Sequence, residues 1–229
     1  MKAIILAGGF GTRLAHLSSG KPKPLVEVAG TPILERQINF LLSHGMDDIR
    51  LSLHHKADQI IEFCERRWPG EFEYVVEPTP LGTGGGLKFA SKGIQDEFLV
   101  VNADDILRGI DIKKLISFGA NAIVCSSVAD ARSFGLVDIQ GEHIAAFSEK
   151  PKEQIPGYVN SGWYLLRPNV FNHVSQEAFM LERDVFPALA QKGLLRAFLH
   201  TDYWVPVGTE DKLNQAHHDY LTGVVADTI

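Results

Sequence analysis

Gly8, Gly9 and Gly11 follow directly on the apolar run Ala3-Ile4-Ile5-Leu6, and Arg13 stands just beyond them. Three residues without side chains leave backbone N–H groups bare at the corner where a strand ends. Successive free N–H groups cradle an anion, and a guanidinium grips phosphate oxygens with its planar fork. The order Gly-Gly-Phe-Gly-Thr-Arg is neither the Gly-x-Gly-x-x-Gly of dinucleotide sites nor a loop closed by Gly-Lys-Ser/Thr. Further on, Lys23 lies between Pro22 and Pro24. Each proline fixes φ and biases the residue before it to extended backbone, so Lys23 is carried on a stiff strut. A surface lysine has no use for such rigidity. A lysine aimed at a phosphate does.

These residues need a scaffold, and the hydrophobic pattern describes one. Ala3-Ile4-Ile5-Leu6 reads as a central parallel strand buried on both faces. Thr31-Pro32 reads as a helix start, with Thr31 as the cap and Pro32 in the first turn. Leu34, Ile38, Leu41 and Leu42 keep helical spacing, and Gly45 closes the helix. Strands are expected at 49–54, 72–77 and 98–101, and helices at 57–68 and 82–92. That alternation, with short loops, predicts an α/β doubly wound sheet. After about residue 120 the pattern changes to closely spaced strands at 121–128, 135–139, 144–148 and 158–166, expected to extend or flank the sheet, partly antiparallel. Helices are expected at 182–191 and 209–221, the second capped by Thr209. No linker, low-complexity segment or repeat divides the 229 residues, so one domain over 1–229 is expected.

Composition narrows the function. Hydrophobic residues make up 45% and charged residues 22%, with a formal net charge of −6. That balance argues against a general nucleic-acid surface. No apolar run approaches the ~20 residues of a membrane span. The start MKAIILAGG lacks a secretory n-region and cleavage site, so a cytoplasmic protein is expected. Cys64 and Cys125 are far apart, without metal-site spacing, and read as idle thiols. The adjacent pairs His54-His55 and His217-His218 read as structural or surface residues, because neighbouring side chains on a strand or helix point apart.

Taken together, LAGGFGTRL (6–14) and KPKPL (21–25) resemble the signature of sugar-phosphate nucleotidyltransferases, L-x-G-G-x-G-T-R-L followed by P-K-P-L. The likeness extends through PLGTGGGLK, VVNADDIL, FSEKP, VNSGWYLL and LERDVFPAL. Among such enzymes it is strongest to D-glycero-D-manno-heptose 1-phosphate guanylyltransferases, with mannose-1-phosphate guanylyltransferases and short uridylyltransferases close behind. A non-catalytic sugar-nucleotide-binding relative is a further reading. The resemblance implies a Rossmann-like, GT-A-like mixed sheet, with a nucleotide-binding half to about residue 120 and a sugar-phosphate-binding half at about 121–229. It implies Mg²⁺ as cofactor, an NTP and a sugar 1-phosphate as partners, and a product used in cell-surface glycan synthesis.

Residue by residue, the resemblance implies Arg13, Lys23 and Asp104 as the catalytic groups. The nucleotide would be held by Leu6, Ala7, Gly8, Gly9, Gly11, Thr12, Arg13 and Lys23, with Glu77, Pro80, Gly82, Thr83, Asn102 and Ala103. Gly135, Glu149, Lys150, Asn160, Gly162 and Glu182 would hold the sugar phosphate. Asp104 would carry the metal, with Ala103 in place of the family's usual glycine before it. The family commonly adds a second ligand from W-x-D-x-G-T; here Pro206 stands where that aspartate would be. Asp202, Asp105 or substrate phosphates and water would then complete the shell. Glu210 and Asp211 read as first-turn acids of the last helix.

Overall fold

The computed structural model describes every residue except Ala15, Leu17, Ser19, Thr228 and Ile229. Its centre is a nine-stranded mixed sheet. Strand β1 (Ala3–Leu6) is followed by the short pair β2 (Glu27–Val28) and β3 (Thr31–Pro32) and by helix α1 (Ile33–Ser43). Then come β4 (Ile49–Leu53), α2 (Ala57–Arg67), β5 (Glu73–Val76), α3 (Gly82–Ala90), β6 (Phe98–Asn102), β7 (Asp105–Leu107) and α4 (Ile112–Phe118). The later part contributes β8 (Ala122–Val128), β9 (Gly135–Gln140), β10 (His143–Glu149) and β11 (Gly157–Leu166). It ends with α5 (Phe186–Gln191), β12 (Arg196–His200), β13 (Trp204–Pro206) and α6 (Glu210–Leu221).

The sheet order is β5-β4-β1-β6-β11-β8-β12-β10-β9. The strands β5, β4, β1 and β6 run parallel, and β11 joins them antiparallel to β6. Period-two alternation distributes the buried side chains. Ala3, Ile5, Leu99 and Val101 face the core under α1, α2 and α4, while Ile4, Phe98 and Val100 face the core under α3 and α5. This is why the central strands read as unbroken apolar runs: both faces are covered. A third, smaller core forms where Leu14, Val28, Ile106, Val205 and Ala216 meet beneath α6. No helix among the described residues is long and apolar enough to cross a membrane.

Two local expectations are corrected. Thr31 does not cap α1. It pairs with Val28 across β2–β3, and Pro32 precedes the helix without a side-chain cap bond. Ala29 and Gly30 both have positive φ, 47° and 80°, which closes the two strands through a tight two-residue hairpin. The helix expected at 182–191 begins as a π turn over Leu181–Val185 and is α-helical only from Phe186. Pro187 has no N–H to continue the α ladder, so the preceding turn widens. Thr209 does cap α6, its hydroxyl accepting from Lys212 N at 3.4 Å.

Candidate active site

Two adjoining cavities open where the carboxyl ends of β1, β4 and β6 meet the later strands, as expected for ligand binding at a switch point of an α/β sheet. One measures about 370 Å³ and the other about 930 Å³. Gly9, Lys23, Asn102, Asp104 and Met180 line both, so these residues form the junction.

The glycine loop leaves β1 with Ala7 N bonded to Ser52 O at 2.9 Å, and turns through a 3-10 segment at Thr12–Leu14. Leu14 is buried and pins the far end of the loop. Arg13 is exposed, lines the larger cavity, and makes no ion pair among the described residues. Lys23 stands on its own 3-10 turn, with Pro22 extended before it and Pro24 buried after it. Its ammonium forms a salt bridge with Asp104. The proline strut therefore delivers a cation to a carboxylate at the point where the cavities meet.

Asp104 is half-exposed on the turn between β6 and β7. Ala103 N donates to Leu6 O at 3.0 Å, and Val207 N to Asp104 O at 2.8 Å. Asp105 is different. It is buried, with Trp204 Nε1 donating to one oxygen at 3.0 Å and Asn102 Nδ2 to the other at 3.3 Å. Burial, and then the neighbouring Asp104 charge, push its carboxyl well above the usual range. Gly162 makes that burial possible: with φ +77, a Cβ there would fall 2.0 Å from Asp105 Oδ2. The residue implied as a sugar contact thus also packs against the acid beside Asp104. Asp202 is corrected. It lies against Gly109 and lines neither cavity. Pro206, paired with Asp105 across β7–β13, lines the larger cavity instead.

The smaller cavity gathers Leu6, Ala7, Gly8, Glu77, Pro80, Gly82, Thr83, Asn102 and Ala103. Gly11, Thr12 and Arg13 fall on the larger one. Glu77 is buried at its wall, one oxygen accepting from Leu81 N at 3.0 Å. A Cβ on Gly86 would stand 2.4 Å from its other oxygen, so only glycine lets α3 approach this carboxylate. Burial raises the Glu77 carboxyl above the ordinary glutamate value. His54 also lines this cavity, donating from Nδ1 to Glu77 O at 3.1 Å. That bond is a structural one, as read for the pair, and it holds the ring just past the carboxyl end of β4, level with the glycine loop. Phe10, edge-on to His54 at 5.7 Å, Ser52 and Met180 are further lining residues that residue type alone did not single out.

The larger cavity gathers Gly135, Glu149, Lys150, Asn160, Gly162 and Glu182. Lys150 adopts φ +50 and places Nζ 2.9 Å from Glu149 Oε1. Asn160 sits at a bulge of β11, its amide bonding Gly162 N at 2.9 Å and Tyr164 OH at 3.0 Å. Glu182 accepts from Thr83 Oγ1 at 2.7 Å, so one bond ties the two cavities together. Its carboxyl is raised, chiefly by burial. Cys64 and Cys125 are buried and unbridged, Cys64 pushed up to about 12, neither lining a cavity.

A Mg²⁺ ion fits this donor set in one way. Mg²⁺ takes one or two carboxylates and fills its shell with water and substrate phosphates. Asp104 supplies one accessible carboxylate, and no group of three or more His, Cys, Asp or Glu able to hold a metal exists among the described residues.

The chain is similar to known proteins in sequence and in fold. The chain is 34% identical to a mannose-1-phosphate guanyltransferase of Aspergillus oryzae over 98% of its length and 65% of the relative's. It is 33% identical to that of Saccharomyces cerevisiae, over 98% and 64%. It thus spans about two thirds of the length of these curated relatives. The crystal structure of HddC from Yersinia pseudotuberculosis complexed with GMP-PN superimposes with TM-score 0.82 at 34% identity, covering 95% of this chain and 98% of that one. A putative glucose-1-phosphate thymidylyltransferase from Bacillus anthracis shares the fold, with TM-score 0.86 at 24% identity over 100% and 98%. A model of the Nucleotidyl transferase family matches residues 2–223, and to that family the chain belongs.

Proposed function

We propose that this protein transfers a guanylyl group from GTP to a heptose or hexose 1-phosphate, forming a GDP-sugar and pyrophosphate. The buried Glu77 carboxylate in the smaller cavity carries the choice of base. An ionised carboxylate only accepts hydrogen bonds. Among the common bases, guanine alone presents two adjacent N–H donors, N1–H and the N2 amino group, on its pairing edge. The relatives named as guanyltransferases and the neighbour complexed with GMP-PN support the same reading.

In this reading the smaller cavity takes the guanosine and the larger one the sugar phosphate, with the reacting phosphates at their junction. A phosphate oxygen of the sugar 1-phosphate attacks the α-phosphorus, and the α–β bridging bond breaks with its electron pair leaving on pyrophosphate. The nucleophile is already an anion, so no strong base is needed. The obstacle is bringing two anions together in line, and positioning with charge neutralisation meets it. Lys23 neutralises the α-phosphate, and Arg13 holds the departing phosphates. Lys150 binds the sugar phosphate, and Glu149, Asn160 and Glu182 take sugar hydroxyls. Asp104 would hold Mg²⁺, which when bound supplies further neutralisation of the phosphates.

Glu77→Gln keeps the shape and removes the charge. Charge-assisted bonds are worth about 1.5–3 kcal/mol, so kcat/KM for GTP is expected to fall about 10–100-fold while discrimination against UTP narrows. The raised Glu77 pKa gives a second sign. The binding form is the ionised one, so KM for GTP is expected to rise as pH falls, and Glu77→Gln to flatten that dependence. Pyrophosphate release with four NTPs against heptose and mannose 1-phosphates measures both. Unchanged GTP preference in Glu77→Gln would remove Glu77 from base recognition.

A further inference from the structure

Gln37 is fully buried on α1, among Ile33, Leu34, Ile38 and Leu41. Its Nε2 donates to Asn102 O at 2.7 Å and to Asp105 O at 2.8 Å. Those two carbonyls bracket Ala103 and Asp104, the turn between β6 and β7. Both amide hydrogens are spent on this one turn, while Oε1 has no hydrogen-bond partner among the described residues. A buried amide carries a desolvation cost that an apolar side chain would avoid. The two carbonyl bonds are what offset it here.

Helix α1 is itself a firm anchor at this point. Arg36 Nη2 donates to Val28 O at 2.6 Å, and Arg36 and Arg108 both pair with Asp227. The turn is fixed on its other sides by the bonds from Ala103 N to Leu6 O and from Val207 N to Asp104 O. Gln37 closes the remaining side. We propose that Gln37 is the positioning residue for Asp104: it sets the turn that holds this carboxylate against Lys23 at the cavity junction. The proposal rests on the reading that Asp104 acts on the reacting phosphates.

Gln37→Met retains length and apolar packing and removes both donors. Misplacement of a reacting group by about 1 Å costs up to about 100-fold, so kcat is expected to fall about 10–100-fold with KM for GTP and sugar phosphate nearly unchanged. Leu41→Ala, which empties core space on the same helix, is expected to lower Tm without that fall. Hydrogen exchange of the 102–107 backbone is expected to quicken in Gln37→Met and not in Leu41→Ala. This readout needs no turnover. If the wild type transfers no nucleotidyl group, the functional reading fails, and exchange alone decides Gln37's role in the turn. Unchanged exchange at 102–107, or a loss of kcat no greater than that of Leu41→Ala, overturns the proposal. Should Gln37→Met not fold, Gln37→Glu replaces it, because a carboxylic acid can donate one bond when protonated and none when ionised. With one donor in place of two, its kcat is expected to lie below wild type and its exchange at 102–107 to be faster. Wild-type kcat and exchange in Gln37→Glu, or failure of both variants to fold, assigns Gln37 to the core alone and overturns the proposal.

Discussion

Lys23→Ala is expected to lower kcat by about 10²–10³-fold, the usual cost of losing one aimed donor at a transition-state charge. The side chain is mostly buried, at 16% exposure, and its ammonium stands at the junction of the cavities. Pro22 and Pro24 bracket it on its 3-10 turn and hold its backbone in place. Its partner Asp104 is 39% exposed, and water can solvate the carboxylate left behind. The fold should therefore survive, with Tm close to wild type. Arg13→Ala is expected to lose turnover on a similar scale, its guanidinium being exposed on the larger cavity. Rates of pyrophosphate release from folded variants decide both. Turnover near wild type in Lys23→Ala would mean that the phosphates bind elsewhere.

Lys23 and the glycine loop were legible because their chemistry is local. Bare backbone after a buried strand, and a lysine clamped by prolines, are stated by adjacent residues alone. The central strands were legible for a related reason, since burial on both faces leaves continuous apolar runs such as Ile4-Ile5 and Val100-Val101. Nearly every residue implied by the family likeness lines one of the two cavities. Features that depend on partners distant in sequence were not legible. Thr31 has the residue type of a cap, yet Val28 recruits it into a hairpin. The place of His54 at the cavity wall depends on the ends of β1 and β4 being level, which the parallel register Leu6↔Ser52 fixes.

Asp202 shows the same limit at the site itself. Its type suited a metal ligand, and it lies close to Pro206 in sequence. But β13 runs antiparallel to β7 with Pro206 opposite Asp105 and Trp204 opposite Leu107. Asp202 lies before that strand, beyond Trp204, and sits against Gly109 rather than at the cavity. Only the pairing of β13 with β7 fixes this placement. Asp105 is likewise ambiguous from sequence, since its role depends on Trp204 and on the missing Cβ of Gly162.

That register also sets the effect of the missing aspartate. Asp104→Asn is expected to reduce transfer by about 10³-fold or more at ordinary Mg²⁺, the kinetic equivalent of about 4 kcal/mol. It removes the one accessible carboxylate at the junction, and Asp105 is poorly placed to substitute. Burial and its bonds from Trp204 and Asn102 turn it inward and occupy both of its oxygens. Pro206→Asp introduces a carboxylate on the strand bonded to the Asp104 turn through Val207 N, on a residue that lines the larger cavity. It is expected to lower the Mg²⁺ concentration for half-maximal rate. Mg²⁺ accepts a second carboxylate readily, and with only one it depends more on substrate phosphates. Asp202→Asn is expected to change neither rate nor Mg²⁺ dependence. Magnesium titration of the wild type and the three variants, with pyrophosphate release as readout, separates these outcomes. Full activity of Asp104→Asn at low Mg²⁺ would place the metal elsewhere, and a steeper Mg²⁺ requirement in Asp202→Asn would restore that residue to the site.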